Sequence, residues 1–189
     1  MEGALYNAMS YNDSAKTTTV LPDSCTIASP GGVALADKKE TAPMQLFTTV
    51  RVPLVCSARV TLVGHDAVGD GGFLVSLSPG TGDWAKLAFE HTGGKAHSVV
   101  ATVSRAGAAK KEAAVAVKGH HAFLRMAVEE DNTWFHWSED GKQWHLVAKF
   151  ASVKGEDVNY GFGVESPAGK GATYKFDAIV GAGGTVKDK

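Results

Sequence analysis

Two cysteines in 189 residues, Cys25 and Cys56, are too few for a disulfide framework. A small scaffold held by paired thiols is set aside, and both are expected to be buried free thiols. No apolar run approaches the roughly 18 residues that a membrane span needs. The start, Met1-Glu-Gly-Ala-Leu-Tyr6, has no basic residues followed by an apolar stretch, so no secretory signal is read there. Clustered positive charge is missing too. Nineteen Lys and Arg stand against twenty Asp and Glu, for a net charge of −1. Locally basic spots such as Lys110-Lys111 and Lys187-Asp-Lys189 are short, whereas a nucleic-acid footprint needs a concentrated basic surface. The expectation is a soluble cytoplasmic protein with no nucleic-acid and no membrane partner, its oligomeric state open.

A helical period is the last absence. Ala106–Ala116 is rich in helix formers, but Gly107 and Val115-Ala-Val117 favour a turn and a strand. What fills the chain instead is period-2 alternation. The clearest case is Phe123–Phe150, which reads as three short strands joined by two tight turns. Leu124, Met126 and Val128 alternate with Phe123, Arg125 and Ala127. Glu129-Glu-Asp-Asn132 supplies the first turn, and Ser138-Glu-Asp-Gly141 the second, with its Asp-Gly signal.

Further strands are expected at 16–21, 25–28, 45–52, 60–63, 73–78, 84–91, 98–104, 113–117, 159–166 and 173–180, separated by Gly-rich turns. Short strands of this kind, with no amphipathic helix, predict an all-β sandwich or barrel. Hydrophobic content of 44% suffices for its core. One domain over residues 1–181 is expected, with 1–43 as edge strands and loops, and 182–189 as a disordered tail.

Leu124-Arg-Met126, Trp134-Phe-His-Trp-Ser138, Asp140-Gly141 and Trp144 together resemble the closing hairpins of concanavalin A-like jelly-roll domains. More narrowly, the chain is similar to the regulation-of-enolase family, whose members are largely uncharacterised. Trp84-Ala-Lys-Leu-Ala-Phe-Glu90 is similar to that family's Trp-x-Lys-x-x-x-Glu strand, and Gly161-Phe-Gly-Val-Glu-Ser-Pro167 to its strand ending in Ser-Pro. The likeness covers roughly residues 44–180. It departs at Gly69-Asp-Gly-Gly72, where the family has Asp-Gln-Ala-Gly, and after Thr102, where its Ser-Asp-Trp-Ser is missing. The resemblance implies a jelly-roll sandwich of two antiparallel sheets, with Trp144 as a hairpin anchor buried beside Leu124 or Met126. It implies no particular ligand.

Strand parity then gives a candidate site. With Leu87, Phe89, Leu124, Met126, Phe135, Trp137, Phe162 and Val164 turned inward, Lys86, Glu90, Arg125, His136 and Glu165 point away from the core. Trp134 would stand beside them, and Gly161 or Gly163 would leave room for a ligand. A polar, aromatic-flanked sheet face suits sugars, whose hydroxyls need paired donors and acceptors and whose C–H faces pack on rings. The bland alternative is a solvated face with ordinary cross-strand ion pairs.

Catalysis and metal binding draw less support. A retaining glycosidase needs two carboxylates about 5 Å apart. The acidic Glu-x-Asp-x-x-Glu strand of laminarinase-type enzymes is approached only by Glu129-Glu-Asp131, in a turn. Glu90 and Glu165 remain a cross-strand pair without support from spacing. The seven histidines show no ligand spacing, and Asp66 and Asp70 lack the pattern of a calcium loop. No metal and no cofactor are expected. The leading expectation is a non-catalytic module binding carbohydrate or a glycosylated partner. A regulatory scaffold that binds protein through an edge or convex face comes second, and a small glycoside hydrolase third.

Overall fold

The computed structural model describes residues 8–13, 17–36, 39–47, 52–64, 67–155 and 157–183. Among these it contains strands and no helix. In chain order they are β1 (Ala8–Tyr11), β2 (Thr18–Leu21), β3 (Ser24–Pro30), β4 (Leu35–Ala36), β5 (Lys39–Glu40), β6 (Met44–Phe47), β7 (Leu54–Gly64) and β8 (Gly71–Ser78). They continue as β9 (Asp83–Gly93), β10 (Ala96–Arg105), β11 (Ala108–Val117), β12 (His121–Val128), β13 (Asn132–Ser138), β14 (His145–Ala151), β15 (Asn159–Glu165) and β16 (Gly171–Gly183). Sheet I has the order β1-β6-β15-β8-β9-β10-β11, and sheet II the order β14-β13-β12-β7-β16-β3-β2. Every pairing is antiparallel, as the expected all-β sandwich requires.

The core lies between the sheets and follows the alternation. Leu87, Phe89, Phe162 and Val164 of sheet I meet Leu124, Met126, Phe135, Tyr174 and Phe176 of sheet II. Phe162 and Phe176 stack across the interface with centroids 4.7 Å apart. Cys25 and Cys56 sit in this core as free thiols. They oppose Phe176 and Gly181 on β16, which runs between their strands. Burial pushes both thiols up to about 12, so neither is a ready nucleophile.

β7 begins six residues earlier than the 60–63 strand expected. Its first half alternates Cys56 and Ala58 inward with Ser57 and Arg59 outward, and small inward residues give a weak hydrophobic signal. β6 ends at Phe47, and the expected continuation through 48–51 lies outside the described residues. Residues 184–189 of the expected tail also lie outside them, while β16 continues to Gly183.

The outer face of sheet I carries a second apolar cluster. Met44, Leu46, Phe73, Val75, Leu77, Trp84 and Ala88 are buried there together with Leu35 and Ala42. The chain around Leu35 and Ala42 is tied across this face. Val33 bridges Ser166, and Val164 N–H donates to Pro43 O at 3.2 Å. Glu40 accepts from Gly80 N–H at 3.0 Å and from the Tyr11 hydroxyl at 3.2 Å.

Candidate functional site

Each strand obeys the expected parity, yet the six site residues do not share one face. Lys86, Glu90 and Glu165 lie on β9 and β15 of sheet I, whereas Arg125, Trp134 and His136 lie on β12 and β13 of sheet II. Alternation decides whether a side chain points into a sandwich or out of it. It does not say which of the two outer faces an outward residue occupies. The shared site therefore splits in two.

The glycine opening is corrected as well. A Cβ at Gly163 would fall 2.6 Å from Met44 Cγ and 2.8 Å from Phe73 Cζ, and one at Gly161 would strike the backbone of β6. These glycines let the second apolar cluster and a neighbouring strand close in, and they leave no room for a ligand. Trp84 is buried in the same cluster and offers no open ring. Nor is Trp144 a core anchor. It is only half-buried, and the Arg125 guanidinium lies 3.9 Å from its ring centroid, on the side of β12 opposite Leu124 and Met126.

On sheet I the three remaining residues do converge, and the register explains how. Glu165 opposes Gly71 on β8, Gly71 opposes Glu90 on β9, and Glu90 opposes Ser98 on β10. At the ordinary strand spacing the Cα atoms of Glu90 and Glu165 stand about 10 Å apart with Gly71 between them. A side chain at position 71 would separate the carboxyl groups. A Cβ there would already lie 3.0 Å from Glu90 Cγ, so Glu90 leans over the glycine.

Lys86, four residues before Glu90 on the same face, donates from Nζ to Glu165 Oε1. Glu165 Oε2 accepts from Leu35 N–H at 3.2 Å. The Lys86 ammonium also lies 5.6 and 5.8 Å from the ring centroids of Trp84 and Phe73, within cation–π range. The Lys86 and Glu165 side chains are 9% and 4% exposed. An isolated charge at that depth would be strongly unfavourable, so each makes the other tolerable.

Glu90 is the member that reaches solvent. Burial pushes its carboxyl up to about 7, with Glu165 adding to the rise, while Lys86 and Lys111 pull against it. Near neutral pH this group divides between acid and carboxylate, so it both donates and accepts hydrogen bonds. Beside it, Ser98 and Thr102 of β10 stand half-buried on the same face, opposite Glu90 and Lys86. Lys111 opposes Thr102 from β11. The result is a polar strip bounded by a buried ion pair, with the Glu90 carboxyl at the opening.

Ser98, Thr102, Lys111 and Gly71 were not singled out from the sequence. The signal for the two hydroxyl residues was available, because His97, Val99, Ala101 and Val103 alternate with Ser98, Val100, Thr102 and Ser104. Asp70 has a structural use: its Oδ2 accepts from Ala67 N–H at 2.9 Å. Asp66, its expected partner in a calcium loop, lies outside the described residues. No group of three His, Cys, Asp or Glu among the described residues is placed to hold a metal ion.

Known structures share this fold. A functionally unknown protein from Saccharomyces cerevisiae superposes with a TM-score of 0.81 at 15% identity, over 97% of this chain and 100% of that one. The GH43 protein BlXynB from Bacillus licheniformis gives 0.76 at 12% identity, over 90% of this chain but only 35% of that one. The carbohydrate binding module CBM66 from Bacillus subtilis gives 0.58 at 14% identity, over 87% and 90%. At such identities the likeness shows the fold alone. No curated protein matches the chain. Residues 32–181 match DUF1349, a family described as proteins of unknown function, and the chain belongs to that family.

Proposed function

We propose that the chain is a non-catalytic carbohydrate-binding module whose ligand meets the outer face of sheet I at Glu90. The observation that carries this reading is the convergence of Lys86, Glu90 and Glu165 around Gly71, with Ser98 and Thr102 beside the opening. A sugar ring presents neighbouring hydroxyls, each both donor and acceptor. A half-protonated carboxyl next to two side-chain hydroxyls and Lys111 complements them. Aromatic stacking plays no part on this strip, because Trp84 is buried, so binding rests on hydrogen bonds. The fold likeness to CBM66, a carbohydrate binding module, and to the sandwich portion of GH43 proteins supports the ligand class.

A screen of the purified chain against neutral oligosaccharides tests it. Xylose- and arabinose-containing sugars come first, since one similar structure is a xylan β-1,4-xylosidase and another displays endo-xylanase and exo-arabinofuranosidase activity. The expected result is a rise in melting temperature with at least one sugar in the native chain and none in Glu90→Ala. Equal shifts in both proteins would remove Glu90 from the site.

One observation favours a second reading. Glu90 has a raised pKa and a second carboxylate across Gly71, an arrangement suited to general acid catalysis. A small glycoside hydrolase would release reducing sugar from the oligosaccharide that binds, and Glu90→Gln would abolish that release while keeping affinity. Binding without turnover supports the module.

A further inference from the structure

The outer face of sheet II, which carries Arg125, Trp134 and His136, is chemically unlike the strip on sheet I. We infer that it docks an acidic polypeptide segment in extended conformation, laid diagonally across β7, β12, β13 and β14. The seven strands of sheet II contain Arg59, Arg125, Lys149 and Lys175 against the single acid Asp177. The chain as a whole carries a net charge of −1, so the strands of this sheet are more basic than the chain, and the acids that border them lie in the turns: Glu129, Glu130 and Asp131 beyond β12, with Asp131 paired to Lys154. Arg59 and Asp177 hold each other through two hydrogen bonds of 2.6 and 2.8 Å, and Lys175 lies 3.2 Å from Asp177, so this cluster of two cations and one acid keeps one net positive charge at that end. At the nearby turn, Asp140 accepts from the N–H groups of Lys142 and Gln143 at 2.8 and 2.9 Å, which ties its carboxylate to the backbone.

The register sets the path. Arg59 opposes Phe123, Arg125 opposes both Ser57 and His136, and Trp134 opposes Lys149. Across β7, β12 and β14 the three cations Arg59, Arg125 and Lys149 lie successively further along the strands in the same sense, with His136 beside Arg125 at the middle of the line. With about 4.8 Å between strands and about 3.4 Å per residue, the line from Arg59 to Lys149 is about 20 Å long. An extended peptide of about six residues covers that length.

The aromatic neighbours argue against a neutral sugar. Arg125 lies 3.9 Å from the Trp144 ring centroid, and the Lys149 ammonium 5.1 Å from that of Trp134. One face of each indole is thus committed to a cation, where stacking on a sugar would want it bare. The pairs also hold both cations in place, so less side-chain freedom is lost when an anion arrives. A polypeptide is favoured over an acidic polysaccharide by what lies beside the line. β14 is the edge strand of sheet II, with the sheet pairing it on one side only. Its Leu146 is 57% exposed. Edge backbone groups and an exposed leucine suit a chain that brings its own amides and apolar side chains.

Fluorescence anisotropy with a labelled peptide of about eight alternating Glu and Leu residues tests the assignment. The native chain should bind it, and added salt should weaken binding by screening. Lys149→Glu and Arg125→Gln should each weaken it by roughly tenfold. Glu90→Gln, on the other sheet, should bind as the native chain does, which separates this surface from the carbohydrate strip. Should Arg125→Gln fail to fold, judged by circular dichroism, Lys149→Glu at the exposed edge decides alone. Absence of binding by the native chain, or unchanged affinity in Lys149→Glu, would overturn the inference. Tighter binding of polygalacturonate than of the peptide would overturn it in favour of an acidic polysaccharide.

Discussion

Glu90 sets the pH behaviour of the sheet I site. Its folded pKa of about 7 lies above the ordinary 4.5 of a glutamate, so between these values the folded chain holds more of this proton than the unfolded one. The contribution of Glu90 to stability is therefore fully present below about pH 4.5 and is lost as the pH rises through about 7. Urea unfolding at pH 5 and pH 8 should show Glu90→Gln gaining stability relative to the native chain at the higher pH. No difference between the two pH values would mean that Glu90 titrates as an exposed carboxylate. The neighbouring pair behaves differently. Lys86→Ala leaves Glu165 buried without its cation, and a loss of about 3–5 kcal/mol is expected. Replacing both residues by leucine should recover most of it. If Lys86→Ala unfolds at the native urea midpoint, the ion pair is not the buried contact described.

At the scale of elements, the β13–β14 hairpin separates what packs the core from what decorates it. Phe135 is buried against Phe150, with ring centroids 5.0 Å apart, while Trp144 is half-buried over Arg125. Phe135→Ala should cost about 3–5 kcal/mol. Trp144→Ala should cost about 1–2 kcal/mol, from a cation–π contact and partial burial. Equal losses in denaturant titrations would restore Trp144 to the core. The β10–β11 turn offers a gain instead. Ala106 holds a left-handed φ of 51°, followed by Gly107 at 85°. Ala106→Asn should stabilise the chain by up to about 1 kcal/mol, since Asn tolerates that conformation in a two-residue hairpin turn. A lower melting temperature in the variant would count against the turn.

Much of this element structure was legible in the sequence, because period-2 alternation marks the inward set of the longer strands β9, β12, β13 and β15. Leu87, Phe89, Leu124, Met126, Phe135, Phe162 and Val164 are all inside, as the pattern predicts. The candidate site was legible by half. Lys86, Glu90 and Glu165 meet because β8 and β9 pair, and β15 then pairs with β8 from far along the chain. Nothing local to either segment encodes that order. Arg125, Trp134 and His136 share the same outward parity but reach the opposite outer face, and only the assembled sheets distinguish the two. The covering of Trp84 by the chain around Leu35 was also beyond reach, since strands of two residues leave almost no periodic signal.

The whole molecule is a sandwich with two unlike outer surfaces. Sheet I is largely closed by a second apolar cluster and keeps a polar strip at Glu90, whereas sheet II presents cations paired with indoles. The strip on sheet I, as proposed above, binds a neutral carbohydrate. Isothermal titration calorimetry tests it most directly, with a xylose- or arabinose-containing oligosaccharide titrated into the native chain, Glu90→Ala and Lys149→Glu. Saturable binding is expected in the native chain and in Lys149→Glu, with a loss of roughly tenfold or more in Glu90→Ala while that variant stays folded by circular dichroism. Equal affinity in Glu90→Ala, or a loss confined to Lys149→Glu, would contradict it.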